Sequence, residues 1–371
     1  MWRIVFPALG MIAVTYALAR LSFGLFLPNI SDSLGLSESE GGIVGSTAYV
    51  SYSLALLISS FLIERAGQYK VNLIAGMTAV LGLLGIAASQ SFLHLVISML
   101  VAGLGSGLAS PALSQMAQHT LSNKELDQGN TWINSGTSVG VILTGPVVLL
   151  FTEHWRLSYY FFSFIAVIVW IWNYLVIPSD QDKKSSTRSQ TKWLSAINKA
   201  KYLIAASLVI GISSSIYWTF SRSFITSEYG FTTNESVVFW IILGIAGILG
   251  GFAGGFIQRL GLARSYRLLL VVMLTSILLL TIPNQVTVYI SAGLFGSTYI
   301  FLTGLFIVWA TRIFSILPAL GVSLSFLALG IGQSLGSLIA GSTIEMTSYP
   351  FSFTLFAGLG IIALFIPVQQ K

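Results

Sequence analysis

The 371-residue sequence has no cysteine, which removes disulfides, thiolate metal sites and cysteine nucleophiles together. Charge is nearly as scarce, at 8% of residues, and histidine occurs three times, at 94, 119 and 154, always near the end of an apolar run. Catalysis at a membrane face needs a paired acid and histidine, or a metal cluster. His94 and His154 have no acidic companions, and His119 with Glu125 and Asp127 forms a loose group in a polar loop. An enzyme is therefore not expected, and neither a cofactor nor a metal is called for. Long polar stretches are also missing, with one exception at 178–201.

What fills the chain is apolar: 55% of residues are hydrophobic and mean hydropathy is +0.85, more oily surface than a water-soluble core can hide. Apolar runs near 6–29, 41–63, 71–90, 92–114, 129–151 and 157–177, and again near 202–226, 236–257, 266–283, 286–310, 318–341 and 349–367, each suit one membrane-spanning helix. The expected fold class is thus all-α integral membrane, with twelve transmembrane helices. Continuous runs, without a two-residue alternation, exclude barrel strands. The opening MWRIVFPALG has an apolar run too long for a signal peptide and is expected to be a retained first helix.

Topology accounts for the net charge of +6 better than nucleic acid does. Of 18 Lys and Arg, Arg156 alone falls in one set of loops and Arg20 and Arg222 fall within spans, which leaves fifteen in the opposite set. The positive-inside rule then puts both termini in the cytoplasm. The expected location is a bacterial cell (inner) membrane, multi-pass. Residues 1–178 and 202–371 form two six-helix bundles and 179–201, rich in Ser and Lys, a cytoplasmic linker. LGLSESE at Leu34–Glu40 is echoed by YGFTTNE at Tyr229–Glu235, which makes the bundles parallel repeats.

The hairpin SFLIERAGQYK, Ser60–Lys70, also has a fainter twin, GGFIQRLGLAR, at Gly254–Arg264. With Glu64, Arg65, Gly67 and Lys70 in frame, this loop resembles the signature of the major facilitator superfamily, whose members are twelve-helix secondary transporters. The twin keeps Arg259 and Gly261 and has Gln258 in place of the acid. Gln68 and Tyr69 depart from the cations that the family prefers. The resemblance implies two pseudo-symmetric bundles that rock about a midplane site, and a latch in which Glu64 meets the N-terminus of span eleven, near Pro318, on the cytoplasmic side. Ordinary interfacial charge explains the same residues without a latch.

Span four carries LVAGLGSGLASPAL, Leu100–Leu113, which resembles the family's fourth-helix pattern except that Met99 replaces its arginine. In span five, Gly136, Gly140, Gly145 and Pro146 resemble the antiporters' bending motif, although small residues serve any packed membrane helix. HWR at 154–156 looks like another family feature, with Trp155 suited to an interfacial belt.

Arg20 is the sharpest local signal. A guanidinium in mid-span costs at least about 2.5 kcal/mol unless it meets a partner, water or ligand. Tyr16 and Phe23 share its face at helical spacing. Trp218 and Arg222 share a face of span seven, with Arg222 near the outer end, where Glu228 or solvent could meet it. No Asp or Glu falls in the middle of any span, so an anionic or zwitterionic substrate is electrostatically easier than a cation. Tyr49, Tyr52 and Asn134 in the first bundle, with Trp132, and Trp240, Tyr299 and Gln333 in the second are further pathway candidates, although most such aromatics merely pack.

The sequence thus points to a secondary active transporter of a small organic solute, preferably efflux by antiport. Uptake of a small organic anion is the alternative, and a non-transporting sensor on a carrier fold belongs to a different class. Expected partners are the lipid bilayer, an anionic or amphiphilic small molecule and a coupling ion, with the chain monomeric.

Overall fold

The computed structural model describes residues 1–151, 154–179, 193–314 and 318–368. Most of the expected linker, residues 180–192, lies outside them. All regular structure among the described residues is helical. Two compact units divide the chain, Met1–Ser186 and Thr187–Lys371.

In the first unit the spans are α1 (Trp2–Leu34), α2 (Glu38–Ala66), α3 (Gln68–Ala87), α4 (Phe92–Thr120), α5 (Asn123–Phe151) and α6 (Trp155–Val176). A short helix, Trp193–Lys199, precedes the second set. That set is α7 (Lys201–Tyr229), α8 (Thr233–Gly247), α9 (Leu262–Leu279), α10 (Gln285–Ile313), α11 (Pro318–Met346) and α12 (Tyr349–Ile361). A 3-10 turn at Ile248–Phe252 and a helical stretch Ala253–Leu260 continue α8. Eleven helices among the described residues are long and apolar enough to cross a membrane, while the twelfth, Tyr349–Phe365, is shorter than the sequence suggested. Exposed Leu57, Phe164, Phe252 and Phe365 on the outer faces suit a lipid surrounding.

The duplication is visible in how helices begin. Ser37 caps α2 in a reciprocal box with Glu40, and Thr232 caps α8 with Glu235, 195 positions on. These boxes are the physical content of the echoed LGLSESE and YGFTTNE. Likewise Gly67 joins α2 to α3 at φ 84°, ψ 155° and Gly261 joins the end of α8's continuation to α9 at φ 80°, ψ 154°, a backbone conformation in which a side chain is strained. The pairing of helices is also shared: α2 and α3 lie on α4 as α8 and α9 lie on α10, and α1 lies on α5 as α7 lies on α11.

Candidate substrate site

The first helix is not uniform. Ala13–Leu21 is wound as a π-helix, and Arg20 sits near its end, 7% exposed. Wider π turns are unusual and tend to occur where a side chain must be re-aimed. Three tyrosine rings surround the guanidinium, with its carbon 4.5 Å from the Tyr52 centroid, 4.6 Å from Tyr16 and 5.3 Å from Tyr49. Nη1 donates to Ser106 Oγ at 3.4 Å, while Nε is buried with no hydrogen-bond partner among the described residues. Cation–π contacts contribute roughly 0.5–2 kcal/mol each, so three rings offset the burial cost of an arginine. They supply no negative charge, and the cage stays cationic. Phe23 is buried but is not one of its rings.

Glycines on the neighbouring helices make the cage possible. A Cβ at Gly103 would collide with Ala48 O and Ser51 Oγ, and one at Gly107 with Tyr52 O. Backbone contact between α4 and α2 therefore sets Tyr49 and Tyr52 beside Arg20. Ser106 lies between Gly105 and Gly107 and donates its own proton to Gly103 O at 3.0 Å, which frees a lone pair for the guanidinium. On the other side a Cβ at Gly136 would strike Leu9 O, and one at Gly140 would lie 2.8 Å from Ala13 O, so α5 clamps the π segment. Sequence reasoning missed Ser106, which reads as one more small residue in a glycine run. It also missed Asn72 and Asn173, whose 3.0 Å hydrogen bond and the Asn173 bond to Pro7 O tie α3, α6 and α1 together within the first unit.

Other expectations fare differently. Asn134 is exposed and Trp132 is 43% exposed, edge-on to Trp2, so neither joins the cage. Trp155 is buried at 3% exposure against Tyr159, which corrects the interfacial-belt reading. Arg156 instead works at the helix ends: it donates to Ser33 Oγ at 3.0 Å and Ser89 O at 2.8 Å, and lies over Trp155. Arg222, expected near Glu228 or solvent, is 2% exposed and its Nε donates to Ser236 Oγ at 3.0 Å. Because Arg20 lies 14 residues before the end of α1 and Arg222 7 before the end of α7, they differ by about two turns, or about 10 Å in height, and are not repeat-related mates.

In the second unit Trp218 is ringed edge-on by Tyr299 at 5.2 Å, Phe295 at 5.6 Å and Trp240 at 6.0 Å. Gln333 Nε2 donates to Tyr299 Oη at 2.9 Å. The structure thus gathers Trp218, Trp240, Tyr299 and Gln333 into one buried cluster, and adds Phe295.

The hairpin residues Glu64 and Arg65 are exposed, with Arg65 over the Phe61 ring at 4.3 Å; Gln258 and Arg259 are exposed as well. Gln68 and Tyr69, where the family prefers cations, are used locally: Gln68 Nε2 lies 3.0 Å from His119 Nδ1, and Tyr69 Oη donates to Tyr174 O at 3.0 Å.

The sequence profile described as Major Facilitator Superfamily matches residues 9–319. Curated relatives include the human voltage-gated purine nucleotide uniporter SLC17A9, 26% identical over 63% of this chain and 59% of that protein. The Bacillus subtilis hexuronate transporter is 23% identical over 65% and 60%. A probable sulfoacetate transporter, SauU, of Cupriavidus necator is 23% identical over 67% and 63%. The chain's matches thus span about three-fifths of the length of these relatives. Among solved structures, a point mutant of the nucleoside transporter NupG covers 98% of both chains at 16% identity with a TM-score of 0.82, and the human organic anion transporter MFSD10 covers 99% of both at 15% identity and 0.73. Identities this low speak to the fold alone.

Proposed function

The chain belongs to the Major Facilitator Superfamily, a family of transporters, and on that premise we propose that it is a secondary active carrier of a small organic anion, with alternating access. The observation that carries this reading is Arg20: a caged, buried cation whose Nε lacks an acceptor. An anion passing through the first unit would supply both the missing acceptor and the missing charge. Hexuronate, sulfoacetate and purine nucleotides, named for the relatives, are all anions, which supports the same chemistry.

Efflux by antiport, suggested by the glycines of span five, receives less support. Gly136 and Gly140 are explained by close packing of α5 on α1, so they carry no information on direction. Carriage of the anion by alternating access is the reading we adopt. The cytoplasmic termini, the cell membrane, a monomeric state and a latch through Glu64 complete the proposal, the last resting on the family's loop pattern. A thermal-stabilisation screen of purified protein against organic anions, cations and neutral amphiphiles tests it. Stabilisation by anions, lost in Arg20→Gln, is expected; stabilisation by cationic amphiphiles alone, unchanged in that variant, would overturn it.

A further inference from the structure

The second unit keeps its charges of opposite sign apart. Lys199 and Lys201 flank the start of α7, Arg259 lies in the last turn of the continuation of α8, Arg264 and Arg267 in the first two turns of α9, and Arg312 in the last turn of α10. All six are exposed, and all stand at the same end of the unit. Its acids stand at the other end: Glu228 near the close of α7, Glu235 at the opening of α8 and Glu345 at the close of α11. Among the described residues no ion pair reaches any of the six cations. Lys199 Nζ lies 5.3 Å from the ring of Phe314, two residues beyond Arg312, and Tyr266, next to Arg267, meets Trp309, one turn before Arg312, at 5.7 Å between ring centroids. The basic residues therefore belong to one continuous surface. A positive-inside bias accounts for the cations but not for the missing acids, which count little in it. The corresponding end of the first unit has Arg3, Arg65, Lys70 and Lys124 together with Glu64, Glu125 and Asp127.

We propose that this end of the second unit docks an anionic phospholipid, with α9 as its principal contact. The positions Arg264, Leu268, Val271, Thr275 and Leu278 recur at helical spacing and are all exposed, Leu268 by 48% and Val271 by 47%, so an apolar outer stripe ends in an arginine. Phe252, 70% exposed, stands seven residues before Arg259 and repeats the arrangement on the continuation of α8. A stripe for acyl chains that terminates in guanidinium groups matches a lipid in both halves, whereas a free soluble anion would use the cations alone. Each guanidinium presents a planar fork of donors to a phosphodiester. Arg264 gains nothing from its own helix, because the first turn favours an acid. The proposal is independent of the organic-anion reading of Arg20, which concerns the first unit.

The test uses the full chain, purified in a neutral detergent and titrated with phosphatidylglycerol, phosphatidylcholine or soluble glycerol phosphate, with thermal unfolding and the lipids retained in native mass spectra as readouts. Phosphatidylglycerol is expected to bind at least about tenfold more tightly than phosphatidylcholine, and the difference should shrink as salt is raised. The pair Arg264→Gln with Arg267→Gln is expected to weaken phosphatidylglycerol at least about tenfold, and the pair Arg3→Gln with Lys70→Gln, at the corresponding end of the first unit, to weaken it little. Lipid preference and salt dependence of the unsubstituted chain test the idea even if a variant folds poorly. Equal affinity for the two lipids would overturn it, as would equal losses from the two pairs of substitutions, which would make the effect one of overall charge. Stabilisation by glycerol phosphate equal to that by phosphatidylglycerol would also overturn it, by assigning the cations to a soluble anion.

Discussion

A guanidinium set among three rings is a place where arginine and lysine part company. The Arg20 guanidinium carbon lies 4.6 and 4.5 Å from the ring centroids of Tyr16 and Tyr52, so a compact ammonium on a flexible stem at the same position would lose the ring contacts and the fork of donors together. Arg20→Lys is accordingly expected to restore little of the anion affinity that Arg20→Gln removes, which titration of each variant with the stabilising anion checks. A second expectation concerns Arg156, whose two hydrogen bonds join the start of α6 to the last turn of α1 and to the turn that follows α3. Arg156→Ala should lower stability by about 1–3 kcal/mol while leaving anion selectivity unchanged, as thermal unfolding and a binding series would read. The sequence revealed Arg20, Tyr16, Tyr49 and Tyr52 because a charge in an apolar run is conspicuous and rings at helical spacing share a face. It could not reveal Ser106, since a serine among glycines carries no mark of which neighbour it will meet. Nor did it show that Arg222 is buried, because Ser236, the group that accepts from it, belongs to the first turn of another helix.

Helices in this chain are placed by what they lack. Gly103 and Gly107 on α4 allow backbone contact with α2, and the tyrosines of the cage stand on the α2 segment so held. Gly107→Ala should therefore push the Tyr52 carbonyl away, cost about 1–3 kcal/mol and weaken anion binding without touching Arg20 directly, a coupled loss that stability and affinity measurements on one preparation would detect. Gly67 and Gly261 have a different reason to be glycine, their positive φ. Alanine at either should cost a similar amount, about 1–3 kcal/mol, although a Cβ at Gly261 would meet nothing within 4 Å, so thermal unfolding of the two variants should shift alike. The spacing of apolar residues announced the helices but not the π segment of α1, because an inserted residue changes the winding without changing the hydropathy of the run.

At the scale of the molecule, corresponding helix starts repeat 193 to 195 positions apart, from α2 against α8 to α6 against α12, and duplicated caps and hairpin glycines made that repeat legible in the sequence. The two units have nonetheless diverged in chemistry. Positive charge in a tyrosine cage marks the first, and donor-bearing aromatic rings mark the second. If Glu64 acts as the proposed latch, Glu64→Gln should shift the population towards states open to the cytoplasm. Labelling of single cysteines introduced at each face would show it, and unchanged accessibility of both faces would remove the latch. The central claim is that Arg20 supplies the countercharge for a transported organic anion. Flux into proteoliposomes, measured for one anion that stabilises the purified protein, tests it most directly. The account predicts saturable uptake by the wild-type chain that falls at least about a hundredfold in Arg20→Gln at unchanged protein stability. Uptake of that anion at the wild-type rate by a folded Arg20→Gln chain would contradict it.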